Sequence, residues 1–532
     1  MNNKVLFYLK QIFFMGSKFI FFLYLIIACD ACFAQQPVGI FDYNLDIGNP
    51  KIAGSASYDK VNQTYSVSGA GANIWFNKDE FHFLFKKLKG DFILTAVFAF
   101  TGDTSGSVGH RKIGWMIRES TDADAASVNA CKHIDGLVVL QWRPFKGMFM
   151  RDPEEERYYP KKGGQTIQLE RIGKTITMKI AHPGEPLQLV GSCTDVLNGE
   201  VLAGLYICSH DSNKLATAKI WNVRIDKPVM HPYSSNPHAI VHKVNEVLGS
   251  RLEILNISDG KRKVIYEVSD RLEAPNWMPD GKKLLFNEGG SLYTIPIVGG
   301  VPEKLNTGTI NSINNDHVIS FNGKMLGISS NREGLPGGGS TVYILPLAGG
   351  EPQLITESTP SYLHGWNPNG KELVLVGKRN GSDIYNLYGV SLSDKKETPL
   401  TFISRGQVDG PEFSPDGKYI YYNGNASGTM QIWRMKPDGS DKQQLTFDEY
   451  NNWFPHISPD GKFMVMISFP YNINPNDHPA YKEVILRLLP LTEPGAPKVL
   501  AYLYGGQGTL NVPSWSPDSK FIAFVSNSQP IK

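Results

Sequence analysis

One short pattern recurs six times in the second half of the chain, and it decides what that half can fold into. Residues 275–281 read Pro-Asn-Trp-Met-Pro-Asp-Gly, and the pattern returns at 318–323, 365–370, 412–417, 456–461 and 514–519, each copy 42 to 58 residues after the one before. Each Pro-Asp-Gly or Pro-Asn-Gly supplies turn chemistry between two strands. An alternating strand follows each copy, as in Lys282-Lys283-Leu284-Leu285-Phe286 or Lys418-Tyr419-Ile420-Tyr421-Tyr422. A second pattern alternates with the first: residues 292–297 then Gly299-Gly300, residues 342–347 then Gly349-Gly350, with related copies at 387–390, 432–435 and 484–488. Short return strands such as 443–446 complete each unit. Four strands per unit at this period predict the blades of a β-propeller.

The two ends of the array predict how the ring closes. The sixth inner hairpin, 515–525, is followed by only seven residues, so its outer strands are missing at that end. Residues 252–257 and 263–266, joined at Asp259-Gly260, form an outer hairpin with no inner hairpin before it. Joined, they complete a sixth blade and leave no open sheet edge. With Trp/Phe-Ser-Pro-Asp-Gly-Lys, then Ile/Leu-Tyr/Trp and Leu-Thr, on the page, residues 250–530 resemble the TolB-like (PD40, WD40-like repeat) propellers of bacterial envelopes. That resemblance implies a fold and an envelope setting. It does not choose between docking module and enzyme, because propellers serve as both.

Residues 37–227 lack the repeat and read as a separate module. Alternating runs at 92–100, 112–118, 137–142, 167–171 and 175–180, with turns between them, predict a β-sandwich. Their order is similar to concanavalin-like jelly rolls found beside sugar-active enzymes, which implies a carbohydrate ligand. The expected fold class is therefore all-β, a jelly-roll sandwich over 37–227, a linker over 228–249, and a six-bladed propeller over 250–532.

Residues 1–34 read as a secretory signal: Lys4, Lys10 and Lys18 precede an apolar run at 19–28 and a small-residue stretch ending at Ala34. A lipoprotein reading, with cleavage before Cys29, is the alternative. Removing this segment takes three Lys and one Asp from 53 basic and 51 acidic side chains and leaves the signs balanced. That excludes the basic footprint of a nucleic-acid binder. Its apolar core is short for a bilayer crossing, so no transmembrane segment is expected after its removal. Cys131, Cys193 and Cys208 then permit at most one disulfide, so apolar burial must hold the fold.

Residues just before each Trp/Phe-x-Pro-Asp-Gly turn gather at the channel mouth of a propeller. Blade two offers Asp316 and His317, blade three His364, blade four Asp409 and Glu412, and blade five His456. Blades one and six offer Pro275-Asn276 and Pro513-Ser514, which are chemically quiet. Two readings compete. His317, His364, Glu412 and His456 are a candidate ligand set for a divalent ion such as zinc, manganese or calcium, since imidazoles and a carboxylate from separate strands supply three or four ligands. Alternatively, all six residues are hydrated channel lining that contacts a ligand without metal. His317 and His364 align one place before His456, so depth is the open question.

Trp366 occupies a core position of the repeat, and Gln431 reads as a strand-end polar residue. The insertion 471–481, with Asp477-His478, lengthens blade five and is placed to form a rim. Neither a Gly-x-Ser-x-Gly elbow nor a Cys-His pairing is legible, which argues against serine and cysteine hydrolases. The sequence thus supports an exported, periplasmic or outer-membrane-associated recognition protein whose propeller takes a protein or glycan ligand. The alternatives are a metal-dependent carbohydrate-active lyase or hydrolase and a structural partner of the Tol envelope system.

Overall fold

The computed structural model describes residues 36–102, 109–150, 156–228, 248–335 and 339–529. The segment read as a signal, with its lipoprotein alternative, lies outside these residues, as does nearly all of the expected linker. No helix among the described residues is long and apolar enough to cross a membrane.

The first module is two seven-stranded antiparallel sheets. One runs in the spatial order Tyr43–Ile47, Phe81–Lys89, Glu200–Cys208, Lys112–Arg118, Ser127–His133, Val138–Arg143, Glu156–Tyr159. The other runs Gln188–Thr194, Thr175–Ala181, Thr166–Ile172, Phe92–Thr101, Asp211–Asp226, Thr64–Gly71, Ser55–Asp59. Side chains alternate across a strand. Leu94, Ala96 and Phe98 therefore join Trp115, Ile117, Leu140, Leu169 and Leu205 in one core. Each fully buried large apolar chain contributes about 1.5–3 kcal/mol. Trp115 also donates its indole N–H to the Ile167 carbonyl of the opposite sheet at 3.2 Å. The three cysteines of this module are buried and form no disulfide among the described residues.

The opposite face of the first sheet is also buried, and it carries charge. Asp79 accepts from Arg143 at 2.6 and 2.7 Å and from Arg118 at 3.4 Å, with all three side chains out of water. The guanidiniums spend their remaining N–H groups on the carbonyls of Phe76, Ser120, Asp122, Ala125 and Met148. Such satisfaction is what permits buried charge.

Residues 250–529 form a six-bladed propeller. Five four-stranded sheets begin at the inner strands Leu272–Trp277, Ile313–Ile319, Ser361–Trp366, Val408–Phe413 and Asn451–Ile457. The sixth is assembled from both ends of the array: Ser250–Asn256 pairs with Phe521–Asn527 on one side and Arg262–Val268 on the other. A bridge between Trp515 and Ile522 adds the innermost strand. The ring closes as the repeat count predicts, since only that pairing removes the edges.

Indole N–H groups and buried polar chains tie neighbouring blades. Trp366 donates to the Val318 carbonyl at 2.8 Å, Trp515 to the His456 carbonyl at 2.9 Å, and Asn276 to the Pro513 carbonyl at 2.7 Å. Gln431 donates to Thr429 and to the carbonyls of Asp448 and Tyr450, fixing a turn.

Candidate functional site

The inner strands do not run in clean register, and this decides what reaches the channel. All five show a register shift within the last residues before the turn motif. Two places before the motif's Trp, Phe or Ile stands Pro275, Pro411, Pro455 or Pro513, which cannot donate to the ladder and marks a bulge. The residue before three of these prolines is left-handed: Ala274 at φ 55°, Gly410 at 57° and Phe454 at 53°. A bulky residue rarely adopts that conformation. Phe454 is held in it by the Asn423 side-chain oxygen, which accepts its N–H at 3.0 Å. Phe454 lines the channel-mouth cavity.

Three of the six expected residues converge there. Asp316, His364 and Asp409 line a cavity of about 350 Å³ with Tyr362, Tyr385 and His478. His364 Nε2 lies 3.2 Å from Asp409 Oδ1 and 3.9 Å from Asp316 Oδ1, and all three residues are buried. The imidazole stacks on Phe454, with centroids 5.9 Å apart at 21°, and makes a backbone hydrogen bond to Asn511. Asp409 also accepts the Gly410 N–H at 2.8 Å.

Burial disfavours charge on every member, and mutual pairing decides which keep it. Burial, with Asp409 and Glu273 nearby, pushes Asp316 up to about 7 against the opposing pull of His364. Burial would lower His364, yet the two carboxylates and the Asn511 backbone raise it above its ordinary value. Burial would raise Asp409, yet its hydrogen bond with His364 holds it low. Their pairing thus favours charge on both His364 and Asp409, while the Asp316 carboxyl beside them is poised to gain or lose a proton near neutral pH. Burial lifts the Tyr362 and Tyr385 hydroxyls, which stay neutral donors.

The other three residues go elsewhere. His456 Nδ1 is 2.6 Å from Glu412 Oε2, its Nε2 is 2.9 Å from the Leu510 carbonyl, and Glu412 Oε1 accepts the Ile457 N–H at 3.0 Å. This pair stitches blades four, five and six together. His317 is fully buried beside the Ala274 backbone, makes no ion pair among the described residues, and is pushed by burial to about 3. His317, His364, Glu412 and His456 therefore fall into three separate environments. Among the described residues no group of three or more His, Cys, Asp or Glu side chains is placed to hold a metal ion.

Sequence reasoning passed over Glu273, Tyr385, Gln407, Gln507 and Asn511. The two blades read as quiet do contribute: Gln507 and Asn511 line the cavity from the sixth, and Glu273 of the first, 2.6 Å from Arg271, faces Asn315 at 3.5 Å. Glu273 and Asn511 stand two places before the inner-strand prolines Pro275 and Pro513, as Asp409 does before Pro411, and that spacing was their signal; Tyr385, Gln407 and Gln507 carried none. The expected rim contributes His478, whose ring lies 4.4 Å from Trp453 and 5.1 Å from Phe454 between centroids. Burial lowers its pKa.

Comparison with known proteins places this half of the chain. Residues 337–475 match the TolB beta propeller domain (PD40). An uncharacterised protein of Agrobacterium fabrum is 42% identical over 277 residues, which is 52% of this chain and 92% of that one. A solved TolB-type protein of Agrobacterium tumefaciens is 41% identical with a TM-score of 0.50, covering 53% of this chain and 99% of that one. The Tol-Pal system protein TolB of Francisella tularensis is 24% identical over 241 residues, 44% of this chain and 53% of that one, so the chain spans about half its length. Six closed blades with this turn motif, and a relative matched over nearly its whole length, establish that the chain belongs, through its C-terminal half, to the TolB-like β-propeller family.

Proposed function

We propose that this is an exported recognition protein of the cell envelope whose propeller binds a polar segment of a glycan or protein ligand at its channel mouth. The observation that carries this reading is the Asp316–His364–Asp409 group in a 350 Å³ cavity, a volume within the roughly 300–1,000 Å³ of ligand sites. Asn315, Gln407, Gln507 and Asn511 add amide donors and acceptors, and Tyr362 and Tyr385 add hydroxyls on aromatic faces. This lining suits the hydroxyl-rich end of a glycan better than an apolar peptide side chain. Relatives named as Tol-Pal system proteins and the leader-like residues 1–34 support the envelope setting.

We read the first module as a concanavalin-like jelly roll, a reading supported by its two antiparallel sheets around one core. A second reading of the mouth, acid–base chemistry on a sugar, is favoured by the position of Asp316 in the cavity wall, its carboxylate 3.9 Å from the His364 imidazole and pushed by burial up to about 7, in the range of a general acid or base. The four-ligand metal set has no such support.

The test is a calorimetric and thermal-shift screen of neutral and acidic oligosaccharides and of envelope peptides against wild type, Asp316→Asn and His364→Gln. Binding weakened about tenfold or more in both variants supports the mouth as the site. Ligands that bind all three proteins equally refute it, and turnover of a bound sugar by wild type alone moves the assignment to the enzyme reading.

A further inference from the structure

Two cavities lie between the first module and the propeller, and neither touches the channel. The larger is about 690 Å³ and the smaller about 350 Å³, and both are bordered by Thr95 and Tyr502, so they adjoin. The floor is the outer face of the second sheet. On the strand Phe92–Thr101 the core takes Leu94, Ala96 and Phe98, leaving Ile93, Thr95 and Val97 outward, beside Gln168 and Trp221 of adjacent strands.

The opposite wall comes from blades five and six, whose outermost strands are unusual. In blades one to four those strands have two or three residues, whereas Lys498–Gly505 has eight and Arg262–Val268 seven. These two long strands are the ones that dock the first module, which also covers edges that would otherwise stay open. On one side Asn222 donates to the Gly260 carbonyl and accepts the Arg262 N–H, both at 2.8 Å, while Gln63 makes the matching pair with Val264 at 2.9 and 3.0 Å. On the other, Val499 N–H donates to the Gly184 carbonyl at 2.9 Å and the Tyr502 hydroxyl to the Glu185 carbonyl. The larger cavity thus lies between two inter-module clamps.

The walls choose the ligand. The floor strands are central in their sheet and paired on both sides, so the floor offers no edge to a peptide strand, and the edge strand Lys498–Gly505 of the opposite wall is engaged by the first module at Val499 and Tyr502. The rings of Trp221, Tyr450, Tyr502 and Tyr504 share the lining with the polar Thr95, Gln165 and Gln168 and with aliphatic chains such as Val97 and Leu503. Sugar rings present apolar faces and hydroxyl edges, which aromatic rings set beside amides and a hydroxyl can meet together. We infer that the inter-module groove is a second binding site, for a linear glycan, built jointly by the two modules and independent of the channel mouth.

The test uses the chain without residues 1–34 and five probes by calorimetry: the hexasaccharides of the cellulose, laminarin, amylose, chitin and galacturonan types. At least one is expected to bind with Kd below about 1 mM. Trp221→Ala weakens it about tenfold, the scale of one lost aromatic contact. Thr95→Trp, which fills the join of the two cavities, abolishes it, each protein being measured in an Asp316→Asn background so that a glycan held at the channel mouth does not contribute. Lys498→Trp, on an exposed position of the opposite wall, plugs the groove from the other side if Thr95→Trp does not fold. No binding by any of the five in that background overturns the inference, as does binding that survives both plugs.

Discussion

Replacing Glu253 with Gln should unlock the two modules from each other. Glu253 is fully buried on the strand Ser250–Asn256 of the sixth blade. Its carboxylate accepts from Arg224 of the first module at 2.6 Å, from Arg262 at 2.6 and 3.1 Å, and from Ser526 at 2.5 Å. Burial would raise its pKa, but the two guanidiniums overcome this and hold it far below the usual carboxylate range. A group depressed in the folded state adds stability that is complete above its unfolded value of about 4.3 and is lost only as pH falls through the folded value. The contribution is therefore constant from pH 5 to 8. Gln keeps the volume and removes the charge, leaving two guanidiniums facing each other out of water. Breaking a buried pair in this way costs about 3–5 kcal/mol. For a unit of roughly 150–250 residues that corresponds to a melting shift of about 6–20 °C. The assay is differential scanning calorimetry at pH 7, with small-angle scattering to detect separation of the modules. Arg224→Met in the same chain should recover part of the loss by removing one uncompensated cation. A shift under about 2 °C, with unchanged scattering, would refute the reasoning, because it would mean that Glu253 is not the common counter-ion of the two arginines.

Asp316→Asn should change the pH dependence of stability in the opposite sense. A carboxyl raised to about 7 binds its proton more tightly in the folded state, so wild type loses stability as pH rises from about 4 to 7, and the variant, by difference in melting temperature, should lack that decline. His456→Ala should lower the melting temperature, by the roughly 2–4 kcal/mol of a broken buried network, while leaving ligand affinity at the channel mouth within about twofold; an affinity loss without destabilisation would return His456 to the site. Trp366→Phe should cost about 0.5–1.5 kcal/mol, the net value of its single inter-blade hydrogen bond, measured by urea denaturation.

The propeller was legible because its information is local and repeated. Turn chemistry, alternation and a six-fold count are properties of neighbouring residues, and ring closure follows once an unmatched outer hairpin at 252–266 and an unmatched inner one at 515–525 are set side by side. The outward and inward faces of strands such as Phe92–Thr101 were equally readable, since period-2 alternation is covalent geometry. The candidate site was half legible. Asp316, His364 and Asp409 were named from position alone, but so were His317, Glu412 and His456, which the fold sends to the core or to inter-blade ties. Glu412 and His456 lie at register shifts beside Pro411 and Pro455, whereas Asp316, His317 and His364 lie on strands whose shifts carry no such proline, so pairing with the neighbouring strand, not a local motif, sets them. The docking of the modules through Glu253, and the groove it creates, depends on residues such as Arg224 and Arg262 that are distant in sequence and unremarked by any motif. Local pattern fixes which strands form; only packing across the chain decides which charges meet.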